Sequence, residues 1–269
     1  MRTTQAMNKP CTLILLHGAT GNARMWDAVR RSLDSSRFNV IAPDLPGHGT
    51  RRSEPFTLEG AVATAIEAAR SVAPSPVMLV GDSLGGYTAM AAAHALPQER
   101  LKGLVLGGCS TNVIGAAALP FLIKAALFKV LIGLFGEPRL IRQNIPVLVK
   151  MGMSEPDVRA IVDAGMHLGM FEQVIHALRG VDFREMLANI GQPVLIINGS
   201  RDKPMLKQEA NFVAAGLRVT SHRIENCEHG VSMLRGAEFA GVVNDFAHRA
   251  FARAGTHRDL SPAGSARLK

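Results

Sequence analysis

Three residues that could together activate a hydroxyl group occur along this chain in the order serine, acid, histidine. Ser83 lies in Gly81-Asp82-Ser83-Leu84-Gly85, Asp202 follows Gly199-Ser200-Arg201, and His229 follows Glu228. A serine hydroxyl ionises only far above neutral pH, so it needs a base to take its proton and an acid to orient that base. These residue types could together hydrolyse an acyl bond, with Ser83 as nucleophile, His229 as base and Asp202 as orienting acid. Glu225 is the fallback for the acid.

The residues around Ser83 predict a strand, a tight turn and a helix. The short apolar run Val77–Val80 is typical of a buried strand, and the alanine-rich stretch from Tyr87 to Ala93 is typical of a helix. Flanking glycines are required where a nucleophilic serine occupies a strained turn between these two elements. This context favours a nucleophile elbow over an accidental Gly-x-Ser-x-Gly match.

The same alternation of apolar strands and helices extends through most of the chain and predicts an α/β fold. Strands are expected at Thr12–Leu16, Phe38–Ala42, Val77–Val80, Leu104–Leu106, Pro193–Gly199 and Arg218–Ile224. Nearly continuous apolar strands separated by helices indicate a mostly parallel sheet, here of about six strands, that is covered on both faces. Asp202 and His229 each follow such a strand, so both should lie beside Ser83 at the carboxyl edge of the sheet.

The rhythm of strands breaks off in the middle of the chain, which predicts an inserted helical lid. We divide the sequence into a first core segment, a helical cap, a second core segment and a disordered tail: 1–110, 111–190, 191–252 and 253–269. Apolar side chains near or within the cap could line an acyl pocket, although each could equally be plain core. The candidates are Trp26, Leu119, Phe121, Leu122, Phe128 and Phe171.

The cap begins with a long apolar segment, Val113–Phe135, that raises the question of a membrane span. Lys124 and Lys129 lie within it, and charged residues in mid-span are costly, so no integral membrane segment is predicted. A helix that covers a pocket is the favoured interpretation. Contact of this helix with lipid is retained as an alternative.

Composition excludes several other classes of protein. The chain has 269 residues and a net charge of +8, but its basic residues are scattered and no nucleic-acid site is predicted. Three distant cysteines argue against a disulfide framework, and no apolar leader precedes the first strand, so a cytoplasmic protein is expected. The remaining histidines have no metal-site spacing, and no metal or other cofactor is predicted.

Further motifs resemble those of the α/β-hydrolase superfamily. They are His17-Gly18, Trp26, the loop from Asp44 to Gly49, the Ser83 elbow, Asn198–Asp202 and Glu228-His229-Gly230, and they span nearly the whole chain in the usual order. The resemblance implies an α/β-hydrolase fold with a Ser-His-Asp triad. Members often have an antiparallel hairpin before the first motif, but only about ten residues precede it here, so a shortened, all-parallel sheet of six strands is expected.

Catalysis also requires hydrogen-bond donors for the oxyanion. The backbone N–H of Leu84 begins the elbow helix and is the first candidate, and the resemblance implies the N–H of Ala19 as the second. His17 and His48 are interpreted as braces of their loops. Asp82 is interpreted as an elbow residue that binds nearby backbone; the alternative is that it raises the pKa of His229.

We expect a carboxylesterase-type serine hydrolase that cleaves small to medium esters with an apolar part. A carbon–carbon hydrolase or lyase that acts on an anionic substrate is an alternative, and it would need pocket arginines. The candidates are Arg24, Arg51, Arg52 and Arg201. A receptor that uses the triad to bind a small molecule is a second alternative. The sequence leaves the identity of the substrate and the oligomeric state open.

Overall fold

The protein is described by a computed structural model that covers residues 11–256. The prediction that no leader precedes the first strand rests on residues 1–9, which lie outside the described residues. The predicted tail, 253–269, begins inside the last helix, which ends at Thr256, and residues 257–269 also lie outside the described residues.

A six-stranded sheet forms the centre of the fold. Its strands, β1 to β6, are Cys11–Leu16, Phe38–Ile41, Val77–Asp82, Leu101–Gly107, Val194–Gly199 and Val219–Ile224. Their order across the sheet is β2-β1-β3-β4-β5-β6, and every neighbouring pair is parallel. The predicted α/β fold with an all-parallel, six-stranded sheet is therefore confirmed.

Helices cover both faces of this sheet and also form the region between β4 and β5. Within residues 11–256, the helices α1 to α11 are Asp27–Ser32, Leu58–Ser71, Leu84–Ala93, Leu119–Phe135, Glu137–Lys150, Glu155–Asp163, Met170–Leu178, Phe183–Ala188, Lys203–Ala215, Val231–Leu234 and Gly236–Thr256. Short 3-10 turns occupy Ala23–Trp26, Gly49–Arg51 and Gly115–Ala118.

Alternate side chains of the central strands enter two separate apolar cores, because successive residues of a strand point to opposite faces. Leu79 of β3 packs in one core with Phe183 and Phe212, whereas Val80 packs in the other with Trp26. All six residues of β3 are buried. Full burial on both faces explains why the central strands are apolar without alternation.

The five helices α4 to α8 lie between β4 and β5 in the chain, where the sequence predicts the lid. Helix α4 packs against α5 and α7. Together with the preceding 3-10 turn, α4 forms a segment, Gly115–Phe135, that is long and apolar enough to cross a bilayer by length and composition, with a mean hydropathy of 2.0. Only 11% of an 18-residue stretch within that segment is buried in the fold. The described structure thus leaves most of this helix exposed.

Candidate active site

Ser83 lies on the turn between β3 and α3 and has a strained backbone. Its φ of 53° and ψ of −115° lie outside the regions that side chains normally allow. The turn is tight on both sides: a Cβ on Gly81 would lie 2.2 Å from the backbone of Gly85, and a Cβ on Gly85 would lie 1.8 Å from the Leu16 carbonyl oxygen. Only glycine fits at these two positions, so the sequence holds Ser83 at the end of its strand.

Asp202 and His229 come to Ser83 from two loops that touch each other. Asp202 follows β5 and His229 follows β6, and a Cβ on Gly199 would lie 2.2 Å from the Cys227 carbonyl oxygen. His229 Nδ1 is 2.7 Å from Asp202 Oδ2, and His229 Nε2 is 3.0 Å from Ser83 Oγ. The three predicted residues are therefore brought into one hydrogen-bonded chain.

Burial differs along this chain of hydrogen bonds. The Asp202 side chain is 2% exposed, whereas the His229 side chain is 45% exposed and opens towards the cavity beside Ser83. A buried carboxylate that accepts from Nδ1–H fixes the imidazole tautomer and leaves Nε2 free to accept a proton. Glu225, the fallback acid, is exposed, and within residues 11–256 the only carboxylate paired with His229 is that of Asp202.

The surroundings of His229 raise its pKa above the ordinary value of 6.5. Burial acts to lower the pKa, but the hydrogen bond and the negative charge of Asp202 outweigh it, and Asp82 raises it further. Lys124 opposes this rise. The net effect favours the imidazolium, the form that a histidine adopts when it accepts a proton from a hydroxyl group.

Asp82 hydrogen-bonds to a backbone N–H, and its charge also acts on the pKa of His229. Its Oδ2 accepts hydrogen bonds from the backbone N–H of Ser232, at 3.2 Å, and from the Ser232 hydroxyl. The side chains of Asp82 and His229 both approach Gly108. A Cβ atom placed on Gly108 would lie 3.3 Å from Asp82 Oδ1 and 3.2 Å from His229 Cε1. Burial raises the pKa of the Asp82 carboxyl, although the Ser232 hydrogen bonds oppose this.

The two candidate oxyanion donors lie beside Ser83. Leu84 is the first residue of α3, and Ala19 follows β1; both residues line the same cavity as Ser83. His17 holds the Ala19 loop in place: Nδ1 donates to the Gly18 carbonyl oxygen at 2.8 Å, and Nε2 accepts from a backbone N–H of a neighbouring loop at 3.0 Å. This histidine is fully buried and does not reach Ser83 Oγ within hydrogen-bond distance.

A cavity of about 730 Å³ opens onto Ser83 and His229. Its walls are largely apolar, and helices α4 and α7 supply the side facing the sheet edge. The apolar lining residues are Ala19, Leu84, Val113, Pro120, Phe121, Phe171, Val174, Ile175, Leu178, Pro204 and Met205. A cavity of this size and polarity suits a small or medium organic ligand.

Two of the six predicted pocket residues, Phe121 and Phe171, line this cavity. The prediction is wrong for the other four. Trp26 is fully buried on the opposite face of the sheet against Phe239, because its helix lies on that face. Of the remaining three, Leu119 is 57% exposed and Leu122 packs against the core. Phe128 lies on the same face of α4 as Phe121, two turns further along, where it stacks on the Phe171 ring.

The cavity wall also carries two lysines, Lys124 and Lys203, that the sequence did not predict there. Arg201 lines the cavity as well. Lys124 Nζ lies 5.1 Å from the centre of the Phe171 ring, and Lys124 makes no ion pair within residues 11–256. Lys124 follows Phe121 by three residues and so shares its helix face, a spacing that could have revealed it.

Three of the four arginines considered for an anionic substrate lie elsewhere and are engaged. Arg24 pairs with Asp27, and the other two bind Glu54 and Glu137: Arg51 at 2.5 Å and Arg52 at 2.7 Å, respectively. Only Arg201 lines the cavity, where it also donates to Asn226 Oδ1 at 2.8 Å. The positive charge of the cavity therefore comes mainly from lysines. Among the described residues, no group of three His, Cys, Asp or Glu side chains is placed to hold a metal ion.

Comparisons with known proteins agree with this architecture. The sequence profile of the alpha/beta hydrolase family matches residues 13–242. A pimeloyl-[acyl-carrier protein] methyl ester esterase from Methylococcus capsulatus is 25% identical over 252 residues, covering 87% of this chain and 93% of the relative. A 2-hydroxy-6-oxononadienedioate/2-hydroxy-6-oxononatrienedioate hydrolase 2 from Pseudomonas putida is 28% identical over 255 residues, covering 87% of each. A thermophilic esterase structure from Thermogutta terrifontis matches with a TM-score of 0.71 at 20% identity, covering 90% of this chain and 91% of that one.

Proposed function

Because the chain belongs to the alpha/beta hydrolase family, whose sequence profile matches most of its length, we propose that it is a carboxylesterase-type serine hydrolase. Its substrates would be small to medium esters with an apolar acyl or alcohol part. The observation that carries the proposal is the hydrogen-bonded series Ser83, His229 and Asp202 at the wall of an apolar cavity of about 730 Å³. The relatives that act on esters agree with hydrolysis but do not define the substrate.

In the proposed reaction, Ser83 Oγ attacks the ester carbonyl carbon while its proton passes to His229 Nε2. The backbone N–H groups of Leu84 and Ala19 donate to the oxygen that becomes negative. The bond to the alcohol oxygen then breaks, and the alcohol leaves with the proton from His229. A water molecule, deprotonated by His229, attacks the acyl carbon and releases the carboxylic acid and free Ser83.

Asp202 is assigned to orienting His229 and to stabilising its imidazolium. Its near-complete burial and its 2.7 Å hydrogen bond support that role. Asp82 is a positioning residue in this scheme, since it acts on His229 through charge and not through contact with substrate. The protein is expected to work in a reducing cytoplasm; Cys11, Cys109 and Cys227 are all free thiols, which supports this expectation.

A second candidate function is hydrolysis of a carbon–carbon bond in an anionic substrate. The cations Lys124, Arg201 and Lys203 in the cavity wall favour it, and the relative from Pseudomonas putida carries such a dicarboxylate in its name. The largely apolar wall of the cavity favours ester hydrolysis, because a dicarboxylate would leave most of that wall without a complementary group.

A series of p-nitrophenyl esters of increasing acyl length separates the candidates. We expect turnover that rises with chain length and then falls when the acyl chain exceeds the cavity. Strong competitive inhibition by short dicarboxylates, with poor turnover of every neutral ester, would favour the carbon–carbon hydrolase. If no ester were turned over at an enzymatic rate and dicarboxylates did not inhibit, both proposed enzymatic functions would be contradicted. A small-molecule receptor would then be favoured.

A further inference from the structure

Helix α4 presents an apolar stripe to the outside of the molecule. The stripe consists of side chains spaced three or four residues apart, each between 53% and 70% exposed: Leu119, Ile123, Leu127, Val130 and Leu134. At a rise of about 1.5 Å per residue, it runs for roughly 22 Å along the helix. Side chains at this spacing share one face of a helix, so they form a single continuous surface.

Packing within the fold does not account for this surface. The opposite side of α4 faces inwards, where Ala125 is buried and Phe121 lines the cavity. The neighbouring helix α5 adds two more exposed apolar residues, Val147 and Val149. Contiguous apolar patches of this kind are rare on free proteins and mark a surface that another phase or molecule covers.

Positive charge predominates on α4 and on the neighbouring helix α5. Residues 111–150 contain five basic residues and one acidic residue, Glu137, whose carboxylate is paired with Arg52. Within the described residues, Arg139, Arg142 and Lys150 of α5 make no ion pair and remain exposed. An apolar helix face with cations beside it is the pattern of a helix that lies in a membrane interface.

We propose that α4 docks on an anionic lipid surface, with the stripe inserted among the acyl chains and the basic residues of α5 against the headgroups. A second copy of the chain fits less well, since it would bring an equally positive patch against the first. The cytoplasmic leaflet is negatively charged and attracts basic residues at short range. Phe121 and Lys124 line the cavity from the opposite, inward face of the same helix, so docking of the stripe would hold the cavity of Ser83 close to the lipid layer.

Vesicle flotation tests this inference. The wild-type protein is mixed with vesicles of phosphatidylcholine alone or of phosphatidylcholine and phosphatidylglycerol. We expect binding to the anionic vesicles that weakens in high salt. The double variant Ile123→Ser, Leu127→Ser should bind about tenfold or more weakly. Leu217→Ser is the matched control, because Leu217 is 84% exposed on another part of the molecule.

Two further measurements make the result decisive. Turnover of water-soluble p-nitrophenyl butyrate should be equal in the double variant and in the wild type, which shows that the fold and active site are intact. The charge variant Arg142→Gln, Lys150→Gln should lose its preference for anionic vesicles. Equal flotation of all variants would overturn the proposal. So would a concentration-dependent dimer that the Ile123→Ser, Leu127→Ser change abolishes, or tight binding of the stripe to an acidic protein without vesicle binding.

Discussion

Replacement of Asp202 by asparagine tests the orientation of the proposed base. In the wild type, the buried carboxylate accepts from His229 Nδ1 at 2.7 Å, which leaves Nε2 to receive the proton of Ser83. An amide in the same place can donate to Nδ1 and thereby favour the tautomer with the proton on Nε2, which cannot act as the base. Such a change lowers kcat by about 10⁴-fold, or roughly 5 kcal/mol of transition-state stabilisation.

Steady-state turnover of p-nitrophenyl butyrate measures this loss, and the midpoint of thermal unfolding shows whether the variant is folded. Glu225→Gln is the matched control, since Glu225 is exposed and lies four residues before His229 in sequence. It should keep wild-type kcat. A folded Asp202→Asn protein within about tenfold of wild type, or an equal loss in Glu225→Gln, would refute the assignment of the acid.

Three further changes test the surroundings of Ser83. The acid limb of kcat/KM should follow the raised pKa of His229 and lie above pH 6.5; Asp82→Asn removes a negative charge that favours the imidazolium, so the limb should move to lower pH. Lys124→Met should raise KM about fivefold for an ester with a terminal carboxylate and leave KM for a neutral ester unchanged, since a partly screened charge pair contributes about 1 kcal/mol. Gly85→Ala would place a Cβ 1.8 Å from a main-chain oxygen of β1 and should lower the unfolding midpoint by more than about 5 °C.

Each of these three changes has a control that makes the same substitution at another position. Asp245→Asn removes an acid far along α11 and should leave the pH profile unchanged; an upward or absent shift in Asp82→Asn would contradict the role of that residue. Lys129→Met lies on α4 but pairs with Glu172, so it should not affect KM. Gly241→Ala has nothing within 4 Å of the new Cβ and should be tolerated. Equal effects of Lys124→Met and Lys129→Met on KM would refute the role of the Lys124 charge. A Gly85→Ala protein with an unchanged unfolding midpoint would refute the steric argument at Gly85.

The sequence predicts where Ser83, Asp202 and His229 lie because each follows a strand at the carboxyl edge of the sheet; β3 and β5 are fully buried, whereas β6 is mostly exposed. The apolar runs before Ser83 and Asp202 predict strands, as does the more polar segment from Arg218 to Ile224 before His229, and parallel strands bring their carboxyl ends to one edge of a sheet. Glycine spacing adds the tight turn. These are local patterns, and the structure places β3, β5 and β6 within a few residues of the predicted bounds.

The walls of the cavity could not be predicted in the same way. They depend on which face of a helix meets the sheet and on which side of the sheet the helix lies. Trp26 and Phe121 are both apolar and aromatic, yet they are on opposite sides of the sheet. The contact of Asp82 with Ser232 joins residues 150 positions apart and has no local signal.

Labelling with a fluorophosphonate, followed by mass spectrometry of the intact protein and its peptides, tests the central proposal most directly. Wild-type protein should gain one phosphonyl group, located on the peptide that contains Ser83, and should lose its esterase activity in the same proportion. Ser83→Ala should gain none and should not turn over esters. An unlabelled wild type, or a Ser83→Ala protein with parental turnover, would contradict the proposal that Ser83 is the nucleophile.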